Sequence, residues 1–182
     1  MTGRFAPSPT GEMHLGNVLA ALLSWLSAKQ QGGAWRLRIE DLDPQRSRQE
    51  YADRLMRDLE WLGLLWDGEV IYQSQRTDIY DQYLRQLQAY TYFCTCTRNE
   101  ILAAQAPHES DGRIVYPGTC RNRHIQSAKA AIRLIVPNEN IEYDDRIYGH
   151  QSVNLATHCG DFILRRSDGV FAYQLAVVVD DA

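Results

Sequence analysis

Lysine is the scarcest charged residue in this sequence. Only Lys29 and Lys129 are lysines among 19 cationic residues, so the remaining positive charges are all arginines. Neither lysine follows a glycine, which excludes the P-loop pattern G-x-x-x-x-G-K-[ST], and neither indicates a Schiff-base site. Arginine instead offers a planar guanidinium that suits bidentate binding of carboxylates and phosphates.

Long hydrophobic runs are also missing. No run approaches the ~18 consecutive apolar residues of a membrane span, and the N-terminal MTGRFAPSPTG has no apolar segment typical of a secretion signal. A net charge of −4 over 182 residues with 45% hydrophobic residues is typical of a soluble globular chain. We therefore expect a cytoplasmic protein without a membrane partner. In such a protein, four cysteines favour reduced thiols or metal ligands over disulfides.

The mild acidity argues against non-specific binding of nucleic acid, but one stretch is basic. Residues 111–133 carry five cations and one anion. The stretch is either a phosphate-facing strip or a solvated loop, and the sequence supports both interpretations about equally.

Hydrophobic periodicity predicts alternating strands and helices. Strands are predicted at 3–6 and 35–40 around a helix that begins near Leu15 and ends at Gly32-Gly33, which is a parallel βαβ unit. Further elements are helices near 51–62, 79–87 and 97–106, and strands at 131–136 and 161–165. Residues 171–180 are ambiguous, because Val177-Val178-Val179 favours a strand.

The pattern predicts an α/β fold that is interrupted by an inserted subdomain. We expect residues 1–93 to belong to the α/β fold, residues 94–160 to form the insertion, whose size is within the range of small metal-stapled units, and residues 161–182 to return to the α/β fold.

The loop between the first strand and the first helix combines several groups that suit a phosphate ligand. It lies at the carboxyl end of a parallel strand, where ligands bind in such sheets. Gly11 and Gly16 allow close approach of a flat ligand, and His14 and Asn17 offer donors to phosphate oxygens. The helix N-terminus adds free N–H groups and a partial positive charge. The spacing is not G-x-G-x-x-G, which disfavours a nicotinamide cofactor, and a surface helix cap would explain these residues about as well.

The cysteine spacing suggests a metal site. Cys94 and Cys96 form a C-x-C pair that can bring two thiolates to one tetrahedral zinc ion, whereas a disulfide between them would be strained. Cys120 follows after a 23-residue loop, and His108 and His124 compete for the fourth position. The alternative is a set of reduced, metal-free cysteines.

A series of collinear motifs resembles the catalytic domain of class I glutamyl-tRNA synthetases. The opening Arg4-Phe5-Ala6-Pro7-Ser8-Pro9-Thr10-Gly11 leads to His14-Leu15-Gly16-Asn17 in the place of the HIGH signature, with Asn17 where that signature has its second histidine. The later motifs are at 38–46, 63–68, 72–80, 94–97 and 161–169. The resemblance covers all 182 residues and implies a Rossmann-like fold, in which a parallel sheet is flanked by helices. It also implies that residues 1–93 form the first half of a nucleotide-binding fold, that residues 94–160 form an inserted zinc-binding subdomain, and that residues 161–182 return to the catalytic fold.

Details of the motifs resemble one branch, the truncated glutamyl-Q tRNA(Asp) synthetases. These details are residues 18–22 in place of the usual Arg-Thr-Ala-Leu turn, residues 171–181, and the set of Cys94, Cys96, Tyr116 and Cys120. The branch implies that L-glutamate is activated with ATP and transferred to queuosine at the wobble position, in the anticodon loop of tRNA(Asp). It also implies Mg²⁺ bound mainly through ATP, and one structural Zn²⁺ held by that set. We further expect a monomer.

The resemblance assigns roles to individual residues. The ATP site is expected at His14, Gly16 and Asn17, because reaction at the α-phosphate needs positioning and charge neutralisation rather than an acid or a base. The glutamate-binding residues are expected to be Arg4, Ala6, Ser8, Glu40 and Tyr173. In this pocket Arg4 would bind a carboxylate and Glu40 would face the α-ammonium group. Without the resemblance, these two residues would be interpreted as a surface arginine and a strand-end salt bridge.

The second signature of class I synthetases, KMSKS, has no counterpart, because neither lysine lies in such a context. The catalytic fold is therefore expected to be incomplete at its C-terminal side, and this chain alone to be inactive, either as a fragment or as a natural truncation. Two alternatives stay open. The first is the N-terminal catalytic part of a glutamyl-tRNA synthetase proper. The missing Arg-Thr-Ala-Leu turn is evidence against this alternative. The second is a non-catalytic module that binds zinc and nucleotide.

Overall fold

The computed structural model describes residues 2–104 and 115–182. The chain forms two compact units, Met1–Ile79 and Tyr80–Ala182. The division predicted from the sequence is different, into residues 1–93, 94–160 and 161–182. That division describes parts of a complete catalytic domain, and it stays a prediction. In the part of the chain described, no helix is both long enough and apolar enough to cross a bilayer.

The first unit is built on a parallel sheet. Its elements are β1 (Thr2–Phe5), α1 (Leu15–Gln30), β2 (Ala34–Ile39), α2 (Gln49–Trp61), β3 (Ile71–Tyr72) and a short 3-10 helix (Gln73–Arg76). Strand β2 lies between β1 and β3 and pairs in parallel with both. The prediction of a parallel βαβ unit within an α/β fold is confirmed.

Helix α1 contacts the sheet through small residues. Ala21 and Ala28 are buried, and a Cβ added at Gly3 of β1 would lie only 2.8 Å from the Cβ of Ala28. The leucines whose spacing predicted the helix are exposed, namely Leu15, Leu19, Leu22, Leu23 and Leu26. The close approach of α1 to β1 therefore depends on glycine and alanine rather than on the leucine repeat.

Asp67 joins the end of α1 to the start of β2. Its carboxylate accepts hydrogen bonds from Lys29 Nζ at 2.6 Å and from the Trp35 backbone N–H at 2.7 Å. The lysine hydrogen bond, with the backbone N–H second, lowers the pKa of Asp67 below its usual range. One of the two lysines in the sequence therefore has a structural role.

Helix α3 (Thr77–Gln86) carries the chain from the first unit into the second. The elements that follow are β4 (Thr91–Cys94), α4 (Arg98–Ala104), β5 (Ala131–Leu134), β6 (Asn140–Asp145), β7 (Gly149–Asn154), α5 (Leu155–His158), β8 (Ile163–Arg165) and α6 (Tyr173–Asp181). An antiparallel sheet has the order β4-β5-β8, and β6 and β7 form a separate hairpin. The last two residues of the helix predicted at 97–106 lie outside the described residues.

The ambiguous segment at 171–180 is helical from Tyr173 onward. Leu175 and Ala176 of α6 are buried, and Asp180 accepts a hydrogen bond from the Tyr80 hydroxyl at 2.9 Å. Packing within this unit therefore outweighs the preference of the three valines for a strand.

Candidate functional site

The N-terminus of α1 is closed by two reciprocal hydrogen bonds. His14 is the N-cap residue, and its Nδ1 accepts from the Gly16 N–H at 3.1 Å, while Asn17 Oδ1 accepts from the His14 N–H at 3.1 Å. Because Nδ1 is an acceptor here, the proton of the neutral imidazole lies on Nε2. The ring is exposed, so Nε2 can serve as a donor to a ligand.

Gly16 is required by this cap. A Cβ at residue 16 would lie 2.9 Å from His14 Cε1 and 3.1 Å from His14 Nδ1, so any side chain would displace the imidazole. The spacing of histidine and glycine in the signature thus has a local steric cause. Gly11 differs, since no described atom lies within 4 Å of its added Cβ.

Backbone hydrogen bonds hold the loops after β1 and β2 together. The Glu40 N–H donates to the Pro7 carbonyl at 2.9 Å, and the Arg48 N–H donates to the Pro9 carbonyl at 2.9 Å. Glu40 therefore lies beside the segment that contains Ala6 and Ser8. The structure brings these three residues of the expected glutamate pocket to one edge of the sheet.

Glu40 forms an ion pair with Arg38 at 3.1 Å, and the two side chains are 8% and 4% exposed, respectively. This is the strand-end salt bridge that the sequence offered as the alternative interpretation. A carboxylate can accept several donors, so the ion pair is compatible with an additional ammonium partner. The role of Glu40 toward the substrate stays a prediction.

The other two expected pocket residues are exposed. Arg4 lies in β1, and Tyr173 is the first residue of α6, with 57% of its surface accessible. Tyr173 belongs to the second unit, and its place in the pocket stays a prediction of the resemblance.

The cysteine cluster is assembled within the second unit. The sulfur atoms of Cys94, Cys96 and Cys120 all lie within 4.8 Å of one another, with 3.3 Å between Cys96 and Cys120. The Tyr116 hydroxyl lies 3.3 Å from Cys94 Sγ and 3.6 Å from Cys96 Sγ. Tetrahedral zinc with Zn–S bonds of about 2.3 Å requires sulfur separations of about 3.8 Å. The donor set therefore fits one zinc ion.

Ionisation of the cluster is uneven. Burial raises the pKa of the Cys96 thiol to about 11 and raises that of the Tyr116 hydroxyl as well. Burial also opposes ionisation of Cys120, but hydrogen bonds from Tyr116, the Thr95 backbone and the neighbouring thiols outweigh it and lower its pKa to about 7. Cys120 therefore ionises more readily than Cys96, and a bound cation would favour the thiolate form of its ligands.

The competing ligands are not part of this cluster in the described structure. His124 is exposed and has a positive φ of 47°. His108 lies outside the described residues. Cys159 donates instead to the Leu155 carbonyl at 3.4 Å. Among the described candidates, Tyr116 is the fourth donor that meets the three thiols.

The basic stretch at 111–133 is partly committed to internal contacts. Arg121 donates twice to Asp161, from Nε at 2.9 Å and from Nη2 at 2.5 Å. Arg133 is buried, and its Nη1 donates to the Asp161 carbonyl at 2.6 Å. The phosphate-facing interpretation thus does not apply to these two arginines, and Arg113 lies outside the described residues.

Asp161 is the residue that sequence reasoning missed. It is 1% exposed, and its carboxylate also accepts from the Tyr92 hydroxyl at 2.7 Å and the Val136 N–H at 2.8 Å. Burial raises the pKa of Asp161, but the hydrogen bonds from Arg121, the Val136 N–H and the Tyr92 hydroxyl lower it by more. The pKa of Asp161 therefore lies below its usual range. The only sequence signal was that Asp161 opens one of the motifs.

Comparisons with known proteins show the family of this chain. Residues 1–182 match the family "tRNA synthetases class I (E and Q), catalytic domain". A Geobacter sulfurreducens protein named "Glutamyl-Q tRNA(Asp) synthetase" is 49% identical over 98% of this chain and 58% of its own length. A protein of the same name from Thiobacillus denitrificans is 49% identical over 99% of this chain and 60% of its own length.

Solved structures show the same fold. The crystal structure of a glutamate tRNA ligase from Elizabethkingia meningosepticum, in complex with its amino acid, superposes with a TM-score of 0.81 at 34% identity, covering 99% of this chain and 41% of that one. A glutamate-tRNA synthetase from Elizabethkingia anophelis gives a TM-score of 0.82 at 34% identity and covers 42% of that chain. The chain thus spans about 60% of the length of its curated relatives. The chain belongs to the class I tRNA synthetases of the glutamate and glutamine type, and it matches their catalytic domain.

Proposed function

We propose that the protein activates L-glutamate with ATP to glutamyl-adenylate and transfers the glutamyl group to queuosine in the anticodon loop of tRNA(Asp). The supporting observation is the identity of 49% over nearly the whole chain with two proteins named for this substrate, against 34% with two solved structures named glutamate tRNA ligase or glutamate-tRNA synthetase. A glutamyl-tRNA synthetase proper is the second candidate, because the fold also superposes on the two solved structures of glutamate tRNA ligase or synthetase.

The capped N-terminus of α1 would hold the phosphates of ATP. His14 offers Nε2, since its Nδ1 is already bonded to the Gly16 N–H. Asn17 uses Oδ1 in the cap, so its Nδ2 group takes no part in the cap and can donate to a phosphate oxygen. Both side chains are therefore oriented before the nucleotide binds, which is what a reaction driven by positioning requires. Mg²⁺ would arrive with ATP and be bound mainly through its phosphates.

The loop edge beside β1 and β2 would bind the amino acid. Arg4 would bind a carboxylate in a bidentate manner, with Ala6 and Ser8 beside it. Tyr173 is the remaining residue that the resemblance assigns to glutamate binding. The ion pair with Arg38 fixes the Glu40 carboxylate at the end of β2. A carboxylate held in this way can face an α-ammonium group without reorganising.

The cysteine cluster would hold one structural Zn²⁺, with Cys94, Cys96 and Cys120 as thiolate ligands and Tyr116 as the fourth. The sulfur separations within 4.8 Å and the adjacent phenol support this assignment. A closed set of four protein ligands is typical of structural rather than catalytic zinc.

Two assays on the full-length protein test the proposal. Glutamate-dependent ATP–pyrophosphate exchange should be observed, and its absence would favour the non-catalytic alternative. Labelled glutamate should then transfer to queuosine-containing tRNA(Asp) and not to the same tRNA made without queuosine. Labelling of tRNA(Glu) instead would favour the synthetase proper.

A further inference from the structure

Asp161 is the centre of a hydrogen-bond network inside the second unit. Its side chain is 0% exposed, and its two carboxylate oxygens together accept four hydrogen bonds. A buried charge is tolerated only when it is well paired. The four donors meet this requirement, so Asp161 ties together the segments to which they belong.

Two of these segments carry thiol ligands. Tyr92, which donates to Asp161 at 2.7 Å, lies in β4 two residues before Cys94. Arg121, which donates twice, directly follows Cys120 in the chain. A shift of the Asp161 carboxylate would therefore move two of the thiol-bearing segments relative to each other.

The residues just before Asp161 hold the backbone of Tyr116. The Tyr116 N–H donates to the Cys159 carbonyl at 3.3 Å, and Tyr116 and Gly160 form an isolated parallel bridge. A Cβ at Gly160 would lie 2.4 Å from the Tyr116 carbonyl oxygen, so only glycine permits this contact. The third segment of the cluster is thus attached to the same short stretch.

Arg133 holds the ring of Tyr116. The Arg133 guanidinium carbon lies 3.7 Å from the centre of the Tyr116 ring, and Nη1 of the same group donates to the Asp161 carbonyl at 2.6 Å. The arginine is 5% exposed, so the stacked arrangement is enclosed. It directs the Tyr116 hydroxyl toward Cys94 and Cys96.

We propose that Asp161 is a positioning residue for the zinc site, which sets the separation of the ligands through Tyr92, Arg121 and Arg133. This inference rests on the zinc binding proposed above. Partners that orient metal ligands without touching the metal typically change its affinity about 10- to 100-fold when they are replaced. The Asp161 carboxylate acts on two of the thiol-bearing segments at once, so its replacement should give a loss within this range.

The test compares Asp161→Asn with Asp168→Asn in the purified protein. Asp168 pairs with Arg166 at 2.6 Å on the surface, seven residues along the chain, and makes no contact with the cluster. Zn²⁺ affinity is measured by competition with a chromophoric chelator, and ligand geometry by the absorption bands of the Co²⁺-substituted protein. We expect one equivalent of zinc in the wild type, an affinity about 10- to 100-fold lower with shifted cobalt bands in Asp161→Asn, and no change in Asp168→Asn.

The outcomes separate the two proposals. A wild-type protein that binds no zinc would refute the metal site itself. A wild type that binds one equivalent, together with an Asp161→Asn variant of equal affinity and spectrum, would overturn the positioning role alone. If Asp161→Asn does not fold, Arg121→Gln decides, because that side chain is 41% exposed and supplies two of the four donors. Its affinity should fall, and a wild-type value would overturn the inference.

Discussion

Substituting Gly160 by alanine tests the tightest backbone contact beside the cysteine cluster. Gly160 has a φ of +65°, where an L-residue costs about 1–2 kcal/mol. An added Cβ would also lie 2.4 Å from the carbonyl oxygen of Tyr116 and 3.0 Å from its backbone nitrogen. Backbone atoms cannot rotate away, so overpacking adds roughly 1–3 kcal/mol. The expected loss of stability is therefore about 2–5 kcal/mol in total.

Gly149 provides a matched control for this substitution. Its φ is +70°, but no described atom lies within 4 Å of an added Cβ. Gly149→Ala should therefore show only the conformational cost of about 1–2 kcal/mol. The difference between the two variants isolates the contact between Gly160 and Tyr116, and should be roughly 1–3 kcal/mol.

Thermal unfolding followed by far-ultraviolet circular dichroism measures both variants. At this chain length, 1 kcal/mol shifts the melting temperature by about 2–4 °C, so Gly160→Ala should melt several degrees below Gly149→Ala. Tryptophan fluorescence serves as a second probe, which reports unfolding of the first unit alone, because all four tryptophans lie there. Equal melting temperatures for the two variants would show that the Gly160–Tyr116 contact is not made, and would remove one of the links between the Asp161 segment and the cluster.

Three further substitutions test the first unit. In the full-length protein, Glu40→Gln should lower the kcat/KM of glutamate activation roughly 10- to 150-fold, because a charged hydrogen bond contributes about 1.5–3 kcal/mol, while the KM for ATP should stay the same. The control Glu60→Gln, on the exposed face of α2, should change neither value. The lowered pKa of Asp67 means that its contribution to stability is present above the unfolded value of about 3.9 and is lost as pH falls through the folded value. Asp67→Asn should therefore show a smaller decline in urea midpoint between pH 6 and pH 3, followed by tryptophan fluorescence, and a decline as steep as that of the wild type would contradict this. Gly3→Ala should destabilise by about 1–3 kcal/mol through its clash with Ala28 and should be partly rescued by Ala28→Gly in a double-mutant cycle.

The parallel βαβ unit was predictable because its elements leave a local pattern in the sequence. Spacings of three and four residues predicted α1, and glycines marked its end. The same pattern did not show which face is buried, because the close approach to β1 depends on Gly3 and Ala28 in different elements. The helix α6 could not be predicted either, since its burial depends on side chains outside the valine run.

Only those parts of the candidate site that lie in sequence motifs were predictable. The cysteine spacing and the His14-x-Gly16-Asn17 segment predicted two sets of residues, and the structure brings each set together. Asp161 could not be found in this way, because its partners Tyr92 and Arg121 lie 69 and 40 positions away in the chain. No periodic pattern marks a buried carboxylate whose donors come from separate segments.

The scarcity of lysine fits the way in which the second unit uses its cations. Arg121 binds one carboxylate with two nitrogens, and Arg133 stacks on a ring while donating to a carbonyl. A lysine ammonium can do neither, because it lacks a planar group with several fixed donors. A charge count over 111–133 therefore overstates what that stretch offers to phosphate: of its described cations, Arg123 and Lys129 are exposed, while Arg121 and Arg133 are bonded to Asp161. Replacing Lys129 should consequently weaken the salt dependence of tRNA binding if this stretch contacts RNA, whereas replacing Arg133 should act first on the metal site.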